Sequence, residues 1–371
     1  MTSPNAAQDR AGLLRLASDP EDYRGLGIAP AEVAPFEDGL RIEDAKGTYE
    51  WWYFDAHLDD GTKLVVIFYT KPITEPKSRL APVITINLDL ADGRSIEKIL
   101  HAAPDAFRAS KDGCDVWIGD NHFAGDLHRY RITAEIGDVA VDIELVGEIR
   151  PWRPKSGHLY FGQPPREHLF AWLPSVPQGH ATVTYRIGDA HYRTEGIGYH
   201  DHNWGDVPMT DLMHCWYWGR AKVGPYTVIA AYITAAEAYG YASQTVFMLA
   251  RNGTVIADDD AKVVFTTDRV NADAVTGKPV ADITRYEYRD KDERYLITFE
   301  RAATILQAKF VDRLPLLKRI AARLIGFDGA YLRFTGKLTL QRFVADDLVE
   351  AVEEEALWEL MYFGHARPPA V

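Results

Sequence analysis

Short runs of apolar residues, separated by tight turn signals, repeat along most of the chain. The first two runs, Tyr49–His57 and Lys63–Thr70, flank an Asp-Gly pair at residues 60–61, which is a strong β-hairpin signal. Comparable runs follow at Val83–Leu90, Asp115–Ile118, His122–Phe123, Arg129–Ile136, Val139–Val146, Ala181–Ile187, His191–Tyr199, Cys215–Val223, Tyr226–Ile233, Thr245–Arg251, Val263–Thr266, Glu287–Thr298, Ala330–Phe343 and Leu357–Phe363. Many evenly spaced strands with few helices predict an all-β fold of antiparallel barrels or sandwiches.

Two segments carry a helical pattern instead. A short one surrounds Arg10–Ala17, and in Leu314–Leu324 the apolar residues recur at helical spacing while the basic residues face away. The strand-rich pattern breaks at Pro151–Pro165 and again at Trp204–Asp211, and a domain boundary could lie at either segment. We favour the second, because the strand-rich pattern resumes directly after it. We therefore predict an N-terminal extension over residues 1–44, a first barrel over 45–207 and a second barrel over 208–371.

Composition narrows the class of protein. The 371 residues are 47% hydrophobic, which is ample for packed cores, and the net charge of −13 gives no electrostatic reason to bind nucleic acid. Two cysteines make no disulfide framework and fit a reducing compartment. The N-terminus lacks the pattern of a signal peptide, and no apolar run approaches the ~20 residues of a membrane span. We expect a cytoplasmic protein that neither binds nucleic acid nor spans a membrane.

The densest group of chemically capable side chains lies in Gly196–Gly205, which reads GIGYHDHNWG. In a strand, side chains alternate between the two faces of the sheet. One face would then carry Tyr199, Asp201 and Asn203, and the other His200, His202 and Trp204. So many polar groups cost free energy unless each finds a partner or faces water, so we predict that the functional site is here.

His200 and His202 form an H-x-H pair, a spacing that can present two metal ligands from one strand. His214 or Asp211 could supply a third ligand. The tryptophan-rich surroundings suit a hydrated metal poorly, so we expect no metal. Each histidine of the pair is expected to be a hydrogen-bonded wall residue or a proton relay to Asp201.

Glu50 and Asp55 are further carboxyls in an aromatic-rich run. By alternation Glu50 shares a face with Trp52, so one of these carboxyls could reach the same cavity as Asp201. The structural alternative is an ion pair between Glu50 and an arginine of a neighbouring strand.

The chain resembles the carotenoid hydratase (hydroxyneurosporene synthase) or AttH-like superfamily in three strings. EWWYFD at residues 50–55, GYHDHNWG at 198–205 and LWELM at 357–361 are similar, in this order, to its opening, central and closing motifs. The resemblance implies two consecutive lipocalin-like β-barrels, a substrate held in a largely apolar cavity, and no need for a metal or organic cofactor. The superfamily includes hydratases of isoprenoid double bonds and, in more distant branches, natural-product cyclases and Diels–Alderases. Such a family fixes the fold better than the reaction.

In the hydratase branch, a His-x-Trp pair is followed by a Tyr-x-Asp pair whose Asp donates a proton. Residues 199–201 match the second pair. At the first pair the chain reads Phe170-Ala171-Trp172, with Phe170 where the family has His. His168 lies two residues earlier and could compensate. The departure weakens the case for carotenoid hydration and leaves Asp201 as the stronger inference from the resemblance.

Protonating an unactivated alkene requires an acid, and a carboxyl buried among aromatic rings can hold a proton near neutral pH. Aromatic faces would stabilise the carbocation that forms. We therefore predict Asp201, Tyr199 and His202 as catalytic residues. The predicted substrate-binding residues are Trp52, Trp172, His200, Asn203, Trp204, His214, Trp216 and Trp218.

These observations predict a cofactor-independent lyase or isomerase that acts on a hydrophobic, polyene- or terpenoid-like substrate. Alkene protonation would lead to hydration, cyclisation or isomerisation. One alternative is a pericyclase that folds a linear polyene, where catalysis is mostly orientation. Another is a non-catalytic carrier of a hydrophobic ligand, since a closed barrel can hold one ligand. A transient membrane contact for collecting the substrate is a further open question.

Overall fold

The structure, a computed structural model, describes residues 13–72, 78–313 and 327–364. It divides into two compact units. The first unit contains Leu16–Tyr160 and Pro165–Pro208. The second unit contains the described residues from 209 onward, together with 13–15 and Phe161–Pro164. We retain a barrel boundary at residue 207 as a proposal.

One antiparallel sheet contains the strands of the first unit. Its strands are β1 (Leu14–Leu16), β2 (Tyr49–Leu58), β3 (Lys63–Tyr69), β4 (Val83–Asp89), β5 (Ser95–His101), β6 (Phe107–Ala109), β7 (Cys114–Ile118), β8 (Asn121–Gly125), β9 (Arg129–Ile136), β10 (Val139–Gly147), β11 (His158–Phe161), β12 (His168–Ile187) and β13 (Ala190–Gly205). The strand order is β5-β4-β3-β2-β13-β12-β10-β9-β8-β7-β6, and β11 pairs with β1 and β12. Helix α1 (Pro20–Leu26) and 3-10 turns at Pro35–Asp38 and Pro104–Ala106 precede or connect strands.

Alternating burial explains why this sheet curls around a core. In β3 the side chains of Leu64, Val66 and Phe68 are fully buried, whereas the intervening residues are only partly buried. The same alternation in the neighbouring strands brings Trp52 and Phe54 of β2 into one apolar cluster with them. A sheet with one apolar face buries that face by curling over it, as this sheet does around the cluster.

The second unit is a separate antiparallel sheet. Its strands are β14 (Met213–Val223), β15 (Tyr226–Ala235), β16 (Ser243–Arg251), β17 (Thr254–Ala257), β18 (Val263–Ala272), β19 (Pro279–Asp290), β20 (Glu293–Lys309), β21 (Ala330–Val344) and β22 (Asp347–Tyr362). The order is β17-β16-β15-β14-β22-β21-β20-β19-β18. Short helices lie at Met209–Leu212 (α2) and, as 3-10 turns, at Glu237–Tyr239, Asp260–Lys262 and Phe310–Arg313. The predicted fold of two consecutive antiparallel, lipocalin-like barrels with few helices is confirmed.

Two local predictions were wrong. The helical pattern around Arg10–Ala17 contains the strand β1, because pairing with β11 satisfies its backbone and buries Leu14. The run predicted as one strand at Glu287–Thr298 is a hairpin, in which Lys291 turns the chain with a φ of 54°. The predicted helix Leu314–Leu324 lies outside the described residues. Within the described part of the chain, no helix is long and apolar enough to cross a membrane.

Gly196 marks a close approach between β13 and β2. A Cβ atom at this position would lie 2.2 Å from the carbonyl oxygen of His57, which no backbone adjustment within the pair accommodates cheaply. We expect Gly196→Ala to lower the free energy of unfolding by about 1–3 kcal/mol, measured by urea denaturation. Gly25→Ala is the matched control, because a Cβ there meets nothing within 4 Å and alanine favours the helix. Equal stability of the two variants would contradict this packing.

Candidate functional site

Strand β13 lies between β2 and β12, so residues of all three strands meet on each face of the sheet. In the β2–β13 register Asp201 is opposite Tyr53, and His202 is opposite Trp52. Directly paired residues of antiparallel strands share a face. The face with His202 and Trp52 points into the core of the first unit, and the face with Asp201 points away from that core.

Asp201 is held by three side-chain hydrogen bonds. The Tyr199 hydroxyl and the Trp172 indole N–H both donate to Oδ2, each over 2.8 Å. The Asn203 amide donates to Oδ1 over 2.7 Å. The carboxyl is 6% exposed, and its partners stand on β12 and β13 themselves. Rigid strands therefore hold it in one orientation, which is what a precisely placed reactive group requires.

Burial raises the pKa of Asp201 to about 6, because desolvation penalises the charged carboxylate. The hydrogen bonds from Tyr199 and Trp172, the positive field of His200 and the Asn203 amide act in the opposite direction and limit this rise. A carboxyl with this pKa is protonated in about a tenth of the molecules at pH 7. The site can therefore both hold and release a proton near neutrality.

His200 points into the core and contacts two oxygen atoms. Its Nε2 lies 3.1 Å from Asp38 Oδ2, and its Nδ1 lies 2.8 Å from the Tyr53 carbonyl oxygen. The Tyr130 hydroxyl also donates to Asp38 Oδ2, over 2.5 Å. Burial by itself would raise the pKa of Asp38, but the charge and hydrogen bond of His200 outweigh it, so the pKa is below its ordinary value. His200 and Asp38 thus form a buried hydrogen-bonded pair, which is ionic when the His200 ring is doubly protonated.

His202 makes a second pair of the same kind. Its Nε2 lies 2.7 Å from Glu50 Oε1, and its Nδ1 lies 3.3 Å from the Glu37 carbonyl oxygen. The Glu50 carboxyl also accepts the backbone N–H groups of residues 41 and 42, over 2.8 and 3.1 Å. Glu50 is therefore paired with a histidine on its own sheet, and the side chains of both residues are fully buried.

Aromatic rings pack this inner pair. Trp52 stacks on His202 with ring centroids 4.7 Å apart and an interplanar angle of 11°. Trp204 lies on the other side, 4.7 Å from His202 and 5.3 Å from His158. Both tryptophans are buried. Both rings therefore pack against His202, the partner of Glu50. A substrate-binding role for either tryptophan stays a prediction.

Three predicted site residues belong to β14 of the second unit. His214 is buried between the rings of Tyr241 and Tyr362, at 5.2 and 5.6 Å. The Trp216 indole donates to Glu359 Oε1 over 3.1 Å, and Trp218 is paired with the same residue in the β14–β22 register. Cys215 and Tyr217 pack against the core of the second unit. Because side chains alternate along a strand, Trp216 and Trp218 point away from that core. Their substrate-binding role stays a prediction.

A cavity of 420 Å³ lies in the second unit, lined in part by Tyr288, Asp290, Glu293 and Tyr295. None of the predicted site residues lines it. Its carboxylates are unsuited to an apolar substrate, so we assign it no role in catalysis.

Residues 44–311, well over half of the chain, match the protein family described as Diels-Alderase-like. The chain belongs to this family. Its resemblance to the carotenoid hydratase and AttH-like superfamily is thereby confirmed.

Relatives of this Diels-Alderase-like chain have different named activities. A quinolone epoxide rearrangement protein of Emericella nidulans is 27% identical over 200 residues, which are 49% of this chain and 53% of that protein. An acyclic carotenoid 1,2-hydratase of Thiocapsa roseopersicina is 27% identical over 227 residues, 58% of this chain and 53% of that protein. The chain spans about half the length of the curated relatives it matches.

Solved structures share the fold. An AttH protein of Nitrosomonas europaea superimposes with a TM-score of 0.56 and covers 93% of this chain and 99% of its own. The two sequences are 14% identical, so this likeness concerns the fold alone.

The two motif pairs of the family meet at Asp201. Trp172 of the first pair donates its indole N–H to the Asp201 carboxyl of the second pair, across the β12–β13 ladder. Phe170, at the family His position, is buried opposite Gly205 in the same ladder. His168 lies 3.5 Å from Asp206 and is half exposed, so it does not take the place of the missing histidine beside Asp201. Of the predicted catalytic residues, Tyr199 touches Asp201, whereas His202 faces the core; their roles remain untested.

One group of described side chains in this Diels-Alderase-like barrel could ligate a metal ion. Asp38, Cys114 and His200 each place one ligand atom within 4.8 Å of the others, and such an oxygen, sulfur and nitrogen set suits zinc. Burial, followed by the nearby Asp38, raises the pKa of Cys114 well above its usual value, so its thiol keeps its proton. That thiol lies 3.7 Å from the Phe123 carbonyl oxygen. Hydrogen bonds thus account for all three residues, and a metal-free site stays our prediction.

Asp38 is a buried partner of His200 that sequence reasoning missed. It lies in the 3-10 turn Pro35–Asp38, within the segment interpreted as an extension, yet it is 1% exposed. A signal was present, because a buried H-x-H pair needs acidic partners and Glu37-Asp38 is an acidic pair next to apolar residues. Glu37 also contacts Arg153 Nε over 3.0 Å, which ties the same turn to the loop before β11.

Proposed function

We propose that this chain is a cofactor-independent enzyme in which Asp201 donates a proton to a carbon–carbon double bond of a hydrophobic, polyene- or terpenoid-like substrate. The observation that carries the proposal is the buried Asp201 carboxyl, whose pKa is raised to about 6 and which three neighbours hold in place. A raised pKa in an aromatic setting is how a carboxyl becomes a general acid near neutral pH.

The hydrogen bonds indicate which oxygen carries the proton. Oδ2 receives the N–H of Trp172 and the O–H of Tyr199, which together occupy its two lone pairs. Oδ1 receives only the Asn203 amide among these donors, so one lone pair is left for a proton. We therefore place the transferable proton on Oδ1, with Tyr199 and Trp172 stabilising the carboxylate that forms when the proton leaves.

The reaction is balanced without a cofactor. The alkene π pair takes the proton from Asp201, which leaves a carbocation on the substrate and a carboxylate on the enzyme. In hydration, water adds to the cation and its surplus proton returns to Asp201. In cyclisation an internal double bond captures the cation, which moves the positive charge to a ring carbon, and a C–H bond next to that carbon then breaks. In isomerisation a C–H bond next to the first cation breaks directly. In both cases the released proton returns to the Asp201 carboxylate. Nearby aromatic faces such as Tyr199 would stabilise the cation.

The substrate class is inferred from the relatives. The names of two relatives describe hydration of an acyclic carotenoid and rearrangement of a quinolone epoxide, and both reactions can begin with a proton delivered to a neutral, largely apolar molecule. This supports an apolar substrate for this chain, without fixing its identity. Collection of the substrate by transient membrane contact, and a cytoplasmic location, stay predictions.

A pericyclase is the second candidate. It is favoured by the Diels-Alderase-like family match and by Phe170 at the position of the hydratase histidine. In that case the site orients a polyene and Asp201 polarises a carbonyl group without transferring its proton to carbon. A non-catalytic carrier is supported less well, because it gains nothing from desolvating a carboxyl such as Asp201.

Proton transfer from Asp201 to carbon predicts that kcat/KM depends on pH and that the product made in heavy water carries deuterium. Since Asp201 must be protonated in the free enzyme, kcat/KM should be constant below pH 6 and fall about tenfold per unit above it. The test uses an acyclic carotenoid and a quinolone epoxide as probes, in water and in heavy water. Deuterium on a product carbon, together with the falling limb near pH 6, supports alkene protonation. Unlabelled product and a flat profile would establish the pericyclase instead.

A further inference from the structure

The two acceptors around His200 determine the protonation state of its ring. The Tyr53 carbonyl oxygen near Nδ1 can only accept a hydrogen bond, so Nδ1 carries a proton. The Asp38 carboxyl near Nε2 already accepts the Tyr130 hydroxyl and has a lowered pKa, so it is an acceptor as well. A neutral imidazole has one N–H group and could serve only one of these oxygens. Both contacts are satisfied only by the doubly protonated, positively charged ring.

His202 repeats the arrangement independently. Its Nδ1 faces the Glu37 carbonyl oxygen and its Nε2 faces Glu50, whose carboxyl oxygens also accept two backbone N–H groups. Its Nδ1 is also 3.6 Å from Asp38 Oδ1. The inner face of β13 therefore holds two imidazolium–carboxylate pairs, one residue before and one residue after Asp201.

We propose that His200, held as an imidazolium by Asp38 and the Tyr53 carbonyl, is a positioning residue that makes Asp201 a stronger acid. The fixed positive charge sits behind the sheet, next to Asp201 along the strand, and favours the carboxylate that remains after proton transfer. It touches neither the Asp201 carboxyl nor the face on which the substrate would react. The proposal that this tuning serves catalysis rests on the acid role of Asp201 proposed above.

Other groups around the two residues also bear on their titration. Asp201 is faced by Tyr199 on its own strand, by Trp172 on β12, and by Tyr53 and Asp55 on β2. The groups that face His200 or its partner Asp38 are Tyr130 on β9, Cys114 on β7 and His202 on β13. The Tyr130 phenol and the Cys114 thiol keep their protons near neutral pH, because burial raises the pKa of both groups. The charged groups that remain are the two histidines with their carboxylates, and Asp55.

The experiment titrates Asp201 directly, without a substrate. A pH titration followed by carboxyl-carbon NMR of aspartate-labelled protein gives the titration midpoint of Asp201. The Asp201 signal is identified as the one that is absent in Asp201→Asn. The double variant Asp38→Asn/His200→Gln removes both charges of the pair while its amides keep hydrogen-bonding groups in place. We expect the midpoint to rise by about one pH unit, a tenfold weaker acid, because Asp201 adjoins the lost cation more closely than the lost anion. His180→Gln, which removes a half-exposed histidine paired with Glu195, should leave the midpoint unchanged.

Ring-nitrogen NMR tests the charge itself. The wild-type His200 ring should carry protons on both nitrogens at neutral pH, and Asp38→Asn alone should remove one of them. If the double variant does not fold, Asp38→Asn alone still tests the charge of the His200 ring. The proposal would be overturned if the wild-type His200 ring carried only one proton, or if a stoichiometric metal ion were bound to its Nε2. It would also be overturned if the titration midpoint of Asp201 did not change in the double variant. If Asp201 were not the catalytic acid, these NMR results would still hold. Failure of the proposed function can therefore be distinguished from failure of the proposed role of His200.

Discussion

Asp201→Asn is expected to lower kcat by about 100- to 10,000-fold, the usual contribution of one general acid. The amide has nearly the size of the carboxyl and can keep hydrogen bonds within the group of Tyr199, Trp172 and Asn203. It has no proton acidic enough to give to an alkene. The measurement is single-turnover product formation with whichever of the two probes the wild-type enzyme converts, in protein whose circular dichroism matches the wild type.

Asp55→Asn is the matched control for this prediction. Asp55 is also a buried aspartate, 5% exposed, and stands opposite Tyr199 in the β2–β13 register. Its Oδ2 accepts the Tyr53 hydroxyl over 3.0 Å, so the substitution perturbs the same face to a similar degree. We expect this variant to stay within about tenfold of the wild type. Near-full activity of Asp201→Asn, or equal losses in both variants, would refute a specific acid role and favour catalysis by orientation.

Strand positions and the faces of β13 could be predicted because both depend on local patterns. The run Arg129–Ile136 was predicted with the bounds that the structure has, since alternating burial marks both of its ends. Alternation likewise separates Asp201 from His200 and His202 without any tertiary information. The turn at Lys291 was missed because no glycine or proline marks it in the sequence.

The partners across the fold could not be predicted in the same way. Asp38 lies 162 residues before His200, and the contact depends on where the turn Pro35–Asp38 packs against the curled sheet. The link between Trp172 and Asp201 depends on the register of β12 and β13, which contains two irregularities, between residues 173 and 176 and between 176 and 179. Such shifts decide which side chains meet, and a sequence pattern of period two does not reveal them.

Glu50→Gln is expected to lower the free energy of unfolding by about 3–5 kcal/mol, the cost of breaking a buried ion pair by removing one partner. The side chains of Glu50 and His202 are fully buried, 2.7 Å apart. The amide leaves the His202 ring either charged without its nearest counterion or short of one proton for its two acceptors. Urea denaturation followed by tryptophan fluorescence measures the loss, because Trp52 stacks on the affected ring.

The exposed Glu144→Gln on β10 is the control and should change stability by no more than about 0.5 kcal/mol. The decisive comparison is the double variant Glu50→Gln/His202→Gln. Removing both charges abolishes the uncompensated cation, so part of the stability should return even though one more native side chain is lost. If the double variant is as unstable as the sum of the two single variants, the pair is not ionic. The Glu50–His202 pair would then be neutral, and the positive charge behind Asp201 would come from His200 alone.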